Sequence, residues 1–534
     1  MGHDISPITA RDLKSRLSDG GEFAILDARE EVTFGKRHLL LASCVPLGRL
    51  ELTVGDLIPR RDTRVTWCDD GEGLAPRAAE RMAALGYSDV SVLEGGIAAW
   101  ESAGYRIYSG VHVPSKAFAE VVEHEAETPY ITAEALQDLI DGDADIAIYD
   151  SRSYEEYNSN SIPGAISVPG AELVYRFSDL TPSKDTMVIV NCGGRTRSII
   201  GAQSLINAGF ENKIVSLKDG TMAWHLAGLD VRSGATERPP EVSSGGLEAA
   251  RAGAARAADL TGVSRIDAAT LEQWRGEANK RTLYVLDVRT PEEYEAGHLP
   301  GVRSAPGGQL VQETDSHMAV WGARTVLVDD NGVRATMTAS WLKQMGWTDV
   351  AVLTLEDAGE RLETGPYRAA PLGLDPASVP AIDSQTLRQQ LDDESVVVVD
   401  LADSRTYKRG HIPGAYFSTR ARLANALKQI PNTETIVFTS PDGALAALAA
   451  ADLEADSSLR ALRLEGGTAS WTASGLPLEE GPTRMADEPD DVWLTARELG
   501  KNREEAMREY LAWEIDLVNQ MATDEDHRFK VAKP

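Results

Sequence analysis

The stretch IAIYDSR at 146–152, continued by SYEEYNSNSIPGAISVP to residue 169, sets the pattern of this chain. Short apolar runs that end in an acidic residue recur as FAILDAR (23–29), YVLDVR (284–289) and VVVVDLAD (396–403). About 40 to 43 residues after each acidic residue, a second apolar run (RVTWC, MVIVNC, TVLVDD, TIVFTS) opens into a polar loop and an Ala-rich segment. Self-similarity at a fixed spacing predicts one structural unit repeated four times.

The runs are continuous and β-branched, with helical segments between them, which indicates parallel strands covered on both faces. We therefore expect an α/β fold: four tandem domains, each a parallel sheet flanked by helices, plus a C-terminal helical tail. The predicted boundaries are 1–110 for repeat one, 125–232 for repeat two, 233–262 for a linker, 263–370 for repeat three, 378–482 for repeat four and 485–534 for the tail. Repeats one and two are expected to form a pair.

Composition narrows the function classes. The chain has 534 residues, a formal net charge of −30 and three cysteines, Cys44, Cys68 and Cys192. An acidic surface repels a phosphate backbone, so nucleic acid is not expected as a partner. No run is long and apolar enough for a membrane span, and the N-terminus lacks a signal-peptide pattern, so we expect a cytoplasmic protein without a membrane partner. Isolated cysteines fit a reducing compartment.

The loop after the second strand of repeat two combines a thiol with cations. Cys192 follows a buried strand and precedes a helix, which is where an open α/β sheet binds ligands. Gly193 and Gly194 permit a tight curve whose N–H groups form an anion cradle, and Arg195 and Arg197 supply positive charge. These features favour a thiolate, which is the nucleophilic form of cysteine.

Together, the motifs resemble the rhodanese family: D-x-R after the first strand, His-[Ile/Leu]-Pro-Gly, a loop opened by Cys, and a closing Gly-Gly-x-x-x-Trp. The resemblance covers about residues 5–480 as four units. It implies a sulfurtransferase that takes sulfane sulfur from thiosulfate or a similar anionic donor. A persulfide on Cys192 would then pass the sulfur to cyanide or a thiol, including a thiol on an acceptor protein.

The resemblance also assigns roles within repeat two. Cys192 is the catalytic residue, and the substrate-binding residues are Gly193, Gly194, Arg195, Thr196, Arg197, Ser198 and Arg152. The arginines of the loop would contact the anionic donor, Ser198 would organise the loop, and Arg152 would reach the pocket mouth. No cofactor is expected, and the cysteines and histidines show no metal-ligand spacing.

The other three loops are expected to be inactive. Cys68 is placed at the position matching Cys192, but it lies among carboxylates that raise a thiol pKa and repel thiosulfate. A secondary role for Cys68 stays open. Asp330 and Ser440 are placed at the cysteine position of repeats three and four, although Arg334 could still bind a ligand.

Alternative functions remain at this stage. They are a persulfide relay to a dedicated partner, a non-catalytic scaffold, and a cysteine phosphatase or arsenate reductase. Cysteine phosphatases need Cys-x5-Arg, whereas Arg197 follows Cys192 as Cys-x4-Arg.

The tail carries a helical stripe of Trp493, Leu499, Tyr510, Trp513, Leu517 and Met521. We expect it to pack on repeat four, and a dimer contact is the alternative.

Overall fold

The computed structural model describes residues 5–181, 183–359, 361–456, 459–500 and 502–534. It contains four five-stranded sheets, one per repeat, and every strand pairing described is parallel. In each sheet the third strand along the chain is at one edge, next to the second strand, and the first is at the other edge. The expectation of an α/β fold with four parallel sheets and a C-terminal helix is confirmed.

Repeat one contains strands β1–β5 and helices α1–α5, and helix α6 follows it. The strands are Ser6–Ile8, Phe23–Asp27, Ala42–Cys44, Arg64–Cys68 and Val90–Leu93. The helices are Ala10–Arg16, Glu31–Lys36, Leu50–Leu57, Leu74–Ala84, Gly96–Ser102 and, for α6, Val113–Ala126.

Repeat two contains β6–β10 and α7–α11, and helix α12 follows it. The strands are Tyr130–Ile131, Ile146–Asp150, Ile166–Ser167, Met187–Asn191 and Ile214–Leu217. The helices are Ala133–Asp141, Tyr154–Ser159, Glu172–Leu180, Thr196–Asn207, Gly220–Leu226 and, for α12, Ser244–Thr261.

Repeat three contains β11–β15 (Ser264–Arg265, Leu283–Asp287, Arg303–Ser304, Arg324–Asp329, Val350–Thr354) and α13–α18 (Ala268–Gly276, Pro291–Ala296, Gly307–Gln312, Thr314–His317, Val333–Gln344, Leu355–Ala358). Repeat four contains β16–β20 (Ala381–Ile382, Val397–Asp400, Tyr416–Phe417, Thr435–Thr439, Arg460–Leu464) and α19–α23 (Ser384–Asp392, Ser404–Arg409, Leu423–Ala426, Ala444–Asp456, Gly467–Ala473). Helix α24, Arg503–Met521, is the last element. No helix among the described residues is both long and apolar enough to cross a membrane.

The repeats pair differently from the expectation. One compact unit contains repeats one and four, and the other contains repeats two and three. In the first unit, the Arg420 guanidinium donates to both carboxylate oxygens of Glu51, at 2.6 and 3.0 Å. In the second, Trp341 Nε1 donates to Ser204 Oγ at 2.8 Å. The pairing of repeats one and two was therefore wrong, because buried polar contacts join each of them to another repeat.

The segment 233–262, expected to be a linker, contains helix α12, which packs as part of a core. Ala250, Ala254 and Ala257 are buried on one face and belong to the same apolar cluster as Val174 of repeat two and Met337 of repeat three. Small side chains allow the helix to approach both repeats closely. The helix therefore joins repeats two and three into one unit.

The tail also departs from the expectation. Residues 485–493 belong to the unit of repeats one and four, where Ala486 N donates to Phe417 O at 3.0 Å. Residues 494–534 belong to the unit of repeats two and three. Trp493 and Leu499 lie outside the helix, which begins at Arg503. The prediction that the helix packs on repeat four was wrong, since α24 packs on α6 and on a loop of repeat two.

Substitution on the two faces of α12 tests whether this segment is structural. Ala254→Asp places a carboxylate at a position that is 1 % exposed, so we expect it to cost about 3 kcal/mol or more and to lower the thermal midpoint by several degrees. Ala255→Asp, on the exposed face, is the matched control and should leave the midpoint almost unchanged. Equal midpoints for the two variants, measured by calorimetry, would show that the helix contributes nothing to the packed core.

Candidate active site

Cys192 lies where the sequence places it, between β9 and the start of α10. Strand β9 is central in its sheet, between β7 and β10, so the loop opens at the carboxyl edge. Thr221 of helix α11 donates from its N–H and its hydroxyl to Cys192 O, at 2.9 and 2.8 Å, and these two bonds fix the start of the loop. Gly220 has φ +55°, and a Cβ there would collide with Cys192 O, so this closing turn requires glycine.

The thiol itself is enclosed. Cys192 is 2 % exposed, and its Sγ lies 3.5 Å from Ser198 Oγ, whose hydroxyl donates to Arg195 O at 2.8 Å. Burial raises the pKa of the Cys192 thiol, while Arg197 and the Ser198 hydrogen bonds act to lower it. The thiolate at Cys192 stays a prediction, which the charge of Arg197 favours and burial opposes. Ser198 does have the expected position as an organiser of the loop.

Arg195 turns away from the thiol. Its guanidinium donates to both oxygens of Glu120, at 2.6 and 2.8 Å, to Asp219 at 2.7 Å, and to Glu123. Three carboxylates surround one buried cation, so its charge is already neutralised. The prediction that Arg195 contacts the anionic donor is contradicted by these contacts. Arg195 instead ties α6, which carries Glu120 and Glu123, to repeat two.

Arg197 is the loop cation whose charge acts on the Cys192 thiol. It donates to Glu156 at 2.5 and 2.8 Å and to Gln309 Oε1 of repeat three at 3.3 Å. Although burial opposes it, Arg197 lowers the pKa of Glu156 to about 2. The Arg197 charge also acts to lower the pKa of Cys192. Contact of Arg197 with an anionic donor stays a prediction, and the effect of its charge on Cys192 is consistent with that prediction.

Arg152 forms part of the floor of the loop. It donates to both carboxylate oxygens of Asp150, at 2.8 and 2.7 Å, and to Asn160. A Cβ on Gly193 would lie 3.8 Å from Arg152 Cδ, so the side chain passes beneath the loop. Arg152 is fully buried and does not reach the pocket mouth. The corresponding Asp-Arg pair recurs in repeat one as Asp27 and Arg29.

The tail contributes residues that the sequence motifs did not indicate. Arg497 donates to Asn160 Oδ1 at 2.6 Å and to Gly193 O at 3.3 Å. Glu514 accepts a 2.6 Å hydrogen bond from the hydroxyl of Thr196, whose side chain therefore points to the tail. The tail lies outside the repeats, and its stripe of apolar residues indicated a packed helix but not its partner.

Helix α24 covers the loop. A Cβ on Gly194 would lie 3.3 Å from Glu514 Oε2 and 3.3 Å from Tyr510 Cε1. Met507 and Leu511 of the helix belong to one apolar cluster with Met222 of α11. A side chain at position 194 would therefore press against helix α24, so the close approach of the helix favours glycine there.

In repeats one and three, the residue predicted to match Cys192 was wrong by one position: Cys68 and Asp330 were predicted. Ser151 N donates to Asn191 O at 2.8 Å, and Ala28 N donates to Cys68 O at 3.1 Å in the same way. Cys68 therefore corresponds to Asn191, and Asp69 corresponds to Cys192. The pKa of Cys68 is raised well above its usual range by burial and then by Asp27, so it is a core residue of the strand.

Repeats three and four follow the same register. Val288 N donates to Val328 O at 3.0 Å, which places Asp329, not Asp330, at the cysteine position. Ser440 was placed correctly, since Thr468 N donates to Ser440 O as Thr221 N does to Cys192 O. Arg334 is buried against Glu172, Glu293 and Asp330, so the charge of this arginine is already neutralised.

In repeats one, three and four, the side chain at the position of Cys192 accepts hydrogen bonds from N–H groups of its own loop. Asp69 accepts from the N–H groups of residues 71, 74 and 75 at 3.0, 2.7 and 2.9 Å. Asp329 accepts from residues 332 and 335 at 2.6 and 3.1 Å, and Ser440 Oγ accepts from residue 446 at 3.3 Å. In these three repeats a resident oxygen occupies the place of an anion. In repeat two the place is held by a thiol.

Comparisons with known proteins agree with this geometry. The family model "Rhodanese-like domain" matches residues 9–103, 132–227, 267–355 and 383–474. The chain therefore belongs to the rhodanese-like family.

A solved structure of a thiosulfate sulfurtransferase from Pseudomonas aeruginosa is 48 % identical, with a TM-score of 0.93 over 99 % of this chain and 100 % of that one. Thiosulfate sulfurtransferase is thus the enzyme class that the chain matches over its whole length. Thiosulfate sulfurtransferase GlpE from Pseudoalteromonas translucida is 30 % identical over 91 residues, which are 17 % of this chain and 86 % of that protein. An HTH-type transcriptional regulator from Mycobacterium tuberculosis is 35 % identical over 91 residues, 17 % of this chain and 39 % of the regulator, so the chain spans less than half of that relative.

The register of repeat three can be tested by two adjacent substitutions. Asp329→Ala leaves two buried N–H groups without their acceptor, which we expect to cost about 1 to 3 kcal/mol per group and to lower the thermal midpoint. Asp330→Ala removes a half-exposed partner of Arg334 and should have the smaller effect. Calorimetry that finds the larger loss in Asp330→Ala would contradict the assigned register.

Proposed function

We propose that this chain is a thiosulfate sulfurtransferase in which Cys192 of repeat two alone carries the sulfur. The observation that supports this most is the contrast among the four cradles. Asp69, Asp329 and Ser440 occupy the position at which repeat two has a thiol. Carboxylate and hydroxyl oxygens do not carry sulfane sulfur, so repeats one, three and four serve as scaffold.

The proposed reaction is a double displacement. Cys192 thiolate attacks the outer sulfur of thiosulfate, the S–S bond of the donor breaks, and sulfite leaves with the bonding electron pair. Arg197 stabilises the developing negative charge because its own charge acts on the thiol. Cyanide or a thiol then attacks the outer sulfur of the persulfide and releases Cys192 as thiolate.

A small acceptor fits the site better than a protein acceptor. The thiol is 2 % exposed, and side chains of α24 lie directly on the loop at Gly194. A relay to a partner protein would need this helix to leave. We also propose a cytoplasmic location, because Cys44, Cys68 and Cys192 form no disulfide bond.

Substitution of each cysteine tests the proposal. Cys192→Ser should abolish release of sulfite and thiocyanate from thiosulfate and cyanide, and it should abolish the adduct of about 32 Da in the intact mass. Cys68→Ser is the control and should keep wild-type activity, because Cys68 is a strand residue outside the cradle. Absence of both turnover and adduct in the wild type, with thiosulfate and other sulfane donors, would contradict the proposal.

The two loop arginines provide a second test. We expect Arg197→Gln to lower kcat/KM for thiosulfate by about 100-fold, since it removes the cation whose charge acts on the sulfur. Arg195→Gln should mainly lower the thermal midpoint, because Arg195 is bound to three carboxylates away from the thiol. Steady-state kinetics and calorimetry on both variants separate the roles. A larger loss of kcat/KM in a stably folded Arg195→Gln would reverse the assignment.

A further inference from the structure

Glu514 of helix α24 is a carboxyl group with one committed oxygen and one uncommitted oxygen. The residue is 0 % exposed. Its Oε1 accepts the hydrogen bond from Thr196, which fixes the carboxyl plane against the Cys192 loop. Its Oε2 is buried and has no partner at full hydrogen-bond geometry among the described residues, although the Tyr510 hydroxyl lies close enough to lower the pKa of the carboxyl group.

The uncommitted oxygen faces the loop. A Cβ on Gly194 would lie 3.3 Å from Glu514 Oε2, so this atom stands directly over the backbone two residues after Cys192. The carboxylate charge raises the pKa of Cys192, which places the two acidic groups in one electrostatic site. A buried polar atom without a full hydrogen bond destabilises the fold, so its retention calls for a functional explanation.

We propose that Glu514 is the proton donor of the sulfurtransferase reaction and protonates the sulfur atom that Cys192 carries. The inference rests on the proposed function, since it assigns a second residue to the same site. It goes beyond that function because the donor belongs to the C-terminal helix, outside the four repeats.

The chemistry explains why such a donor is useful. When sulfite leaves, the transferred sulfur on Cys192 carries a negative charge, which repels an incoming thiolate. Transfer of the Glu514 proton to that sulfur gives a neutral Cys192 S–S–H group and a Glu514 carboxylate. The acceptor thiolate bonds to the outer sulfur, the bond to Cys192 breaks, and Cys192 leaves as thiolate with the electron pair. The product is R–S–S–H, and Glu514 recovers a proton from solvent.

The surroundings of Glu514 favour its protonated form more than water does. Burial raises its pKa, while Thr196, Lys116, Arg195 and Tyr510 act in the opposite direction. The charged and titratable groups that face it from neighbouring elements are Lys116 and Glu120 of α6, Cys192 and Arg195 of the loop, and Tyr510 of its own helix.

Lys116 is part of the electrostatic environment of Glu514 and is not itself the proposed proton donor. Its Nζ lies 5.5 Å from the ring centre of Tyr510 and 5.4 Å from that of Trp513. Burial lowers its pKa, and the charge of Glu514 acts against this. The ammonium group therefore limits how far the pKa of Glu514 rises.

The test is single-turnover transfer from persulfide-loaded protein to a small thiol across pH 5 to 9, a range chosen around neutral pH. In the wild type, the protonated form of Glu514 is active, so its contribution to the rate is lost as pH rises through its pKa. Glu514→Gln keeps an oxygen for Thr196 but holds no transferable proton. We expect a rate at least about 10-fold lower, without that pH-dependent limb. Thr196→Val should keep the limb, because the acid remains.

Glu509→Gln, on the exposed face of the same helix, is the control and should match the wild type. A wild-type rate and pH profile in Glu514→Gln would overturn the inference and leave the proposed function standing. A lower rate with an unchanged pH profile would also overturn it, by showing a structural role. No persulfide in the wild type would instead overturn the proposed function.

Discussion

The fold of each repeat depends on satisfying the backbone N–H groups that converge after the second long strand. Buried N–H groups need an acceptor, and a loop that curves around one point directs several of them to the same place. Asp69 and Asp329 meet this need with their own carboxylates, and Ser440 meets part of it with its hydroxyl. We propose that a repeat that satisfies its cradle internally is chemically silent. In repeat two, Cys192 stands in place of the acceptor, and the proposed chemistry uses its thiol.

The cations of repeat two are divided between structure and chemistry. Arg195 is neutralised by carboxylates and holds α6 in place, whereas the charge of Arg197 acts on the thiol. The C-terminal helix then closes the loop and adds Glu514 to its surroundings. Under the proposed function, Arg197 gives an acidic protein with a net charge of −30 a positive group where an anionic donor would bind.

Much of the fold could be predicted from the sequence, because four similar segments at similar spacing constrain one another. The Cys192 loop and the role of Ser198 also followed from local motifs. The sequence did not predict the position of Cys68 correctly. A cysteine at the end of a strand looks equivalent to Cys192, and only the backbone hydrogen bonds show that Cys68 corresponds to the preceding residue. The orientation of Arg195 and the position of α24 depend on contacts between residues far apart in sequence, which no local pattern encodes.

The most direct test is a crystal structure of the protein after treatment with thiosulfate. We expect one additional sulfur atom bonded to Cys192 Sγ, none on Cys68, and Asp69 and Asp329 still accepting hydrogen bonds from the N–H groups of their loops. Additional sulfur on Cys68, or an anion that displaces either carboxylate from its loop, would contradict the claim that repeat two alone carries the chemistry.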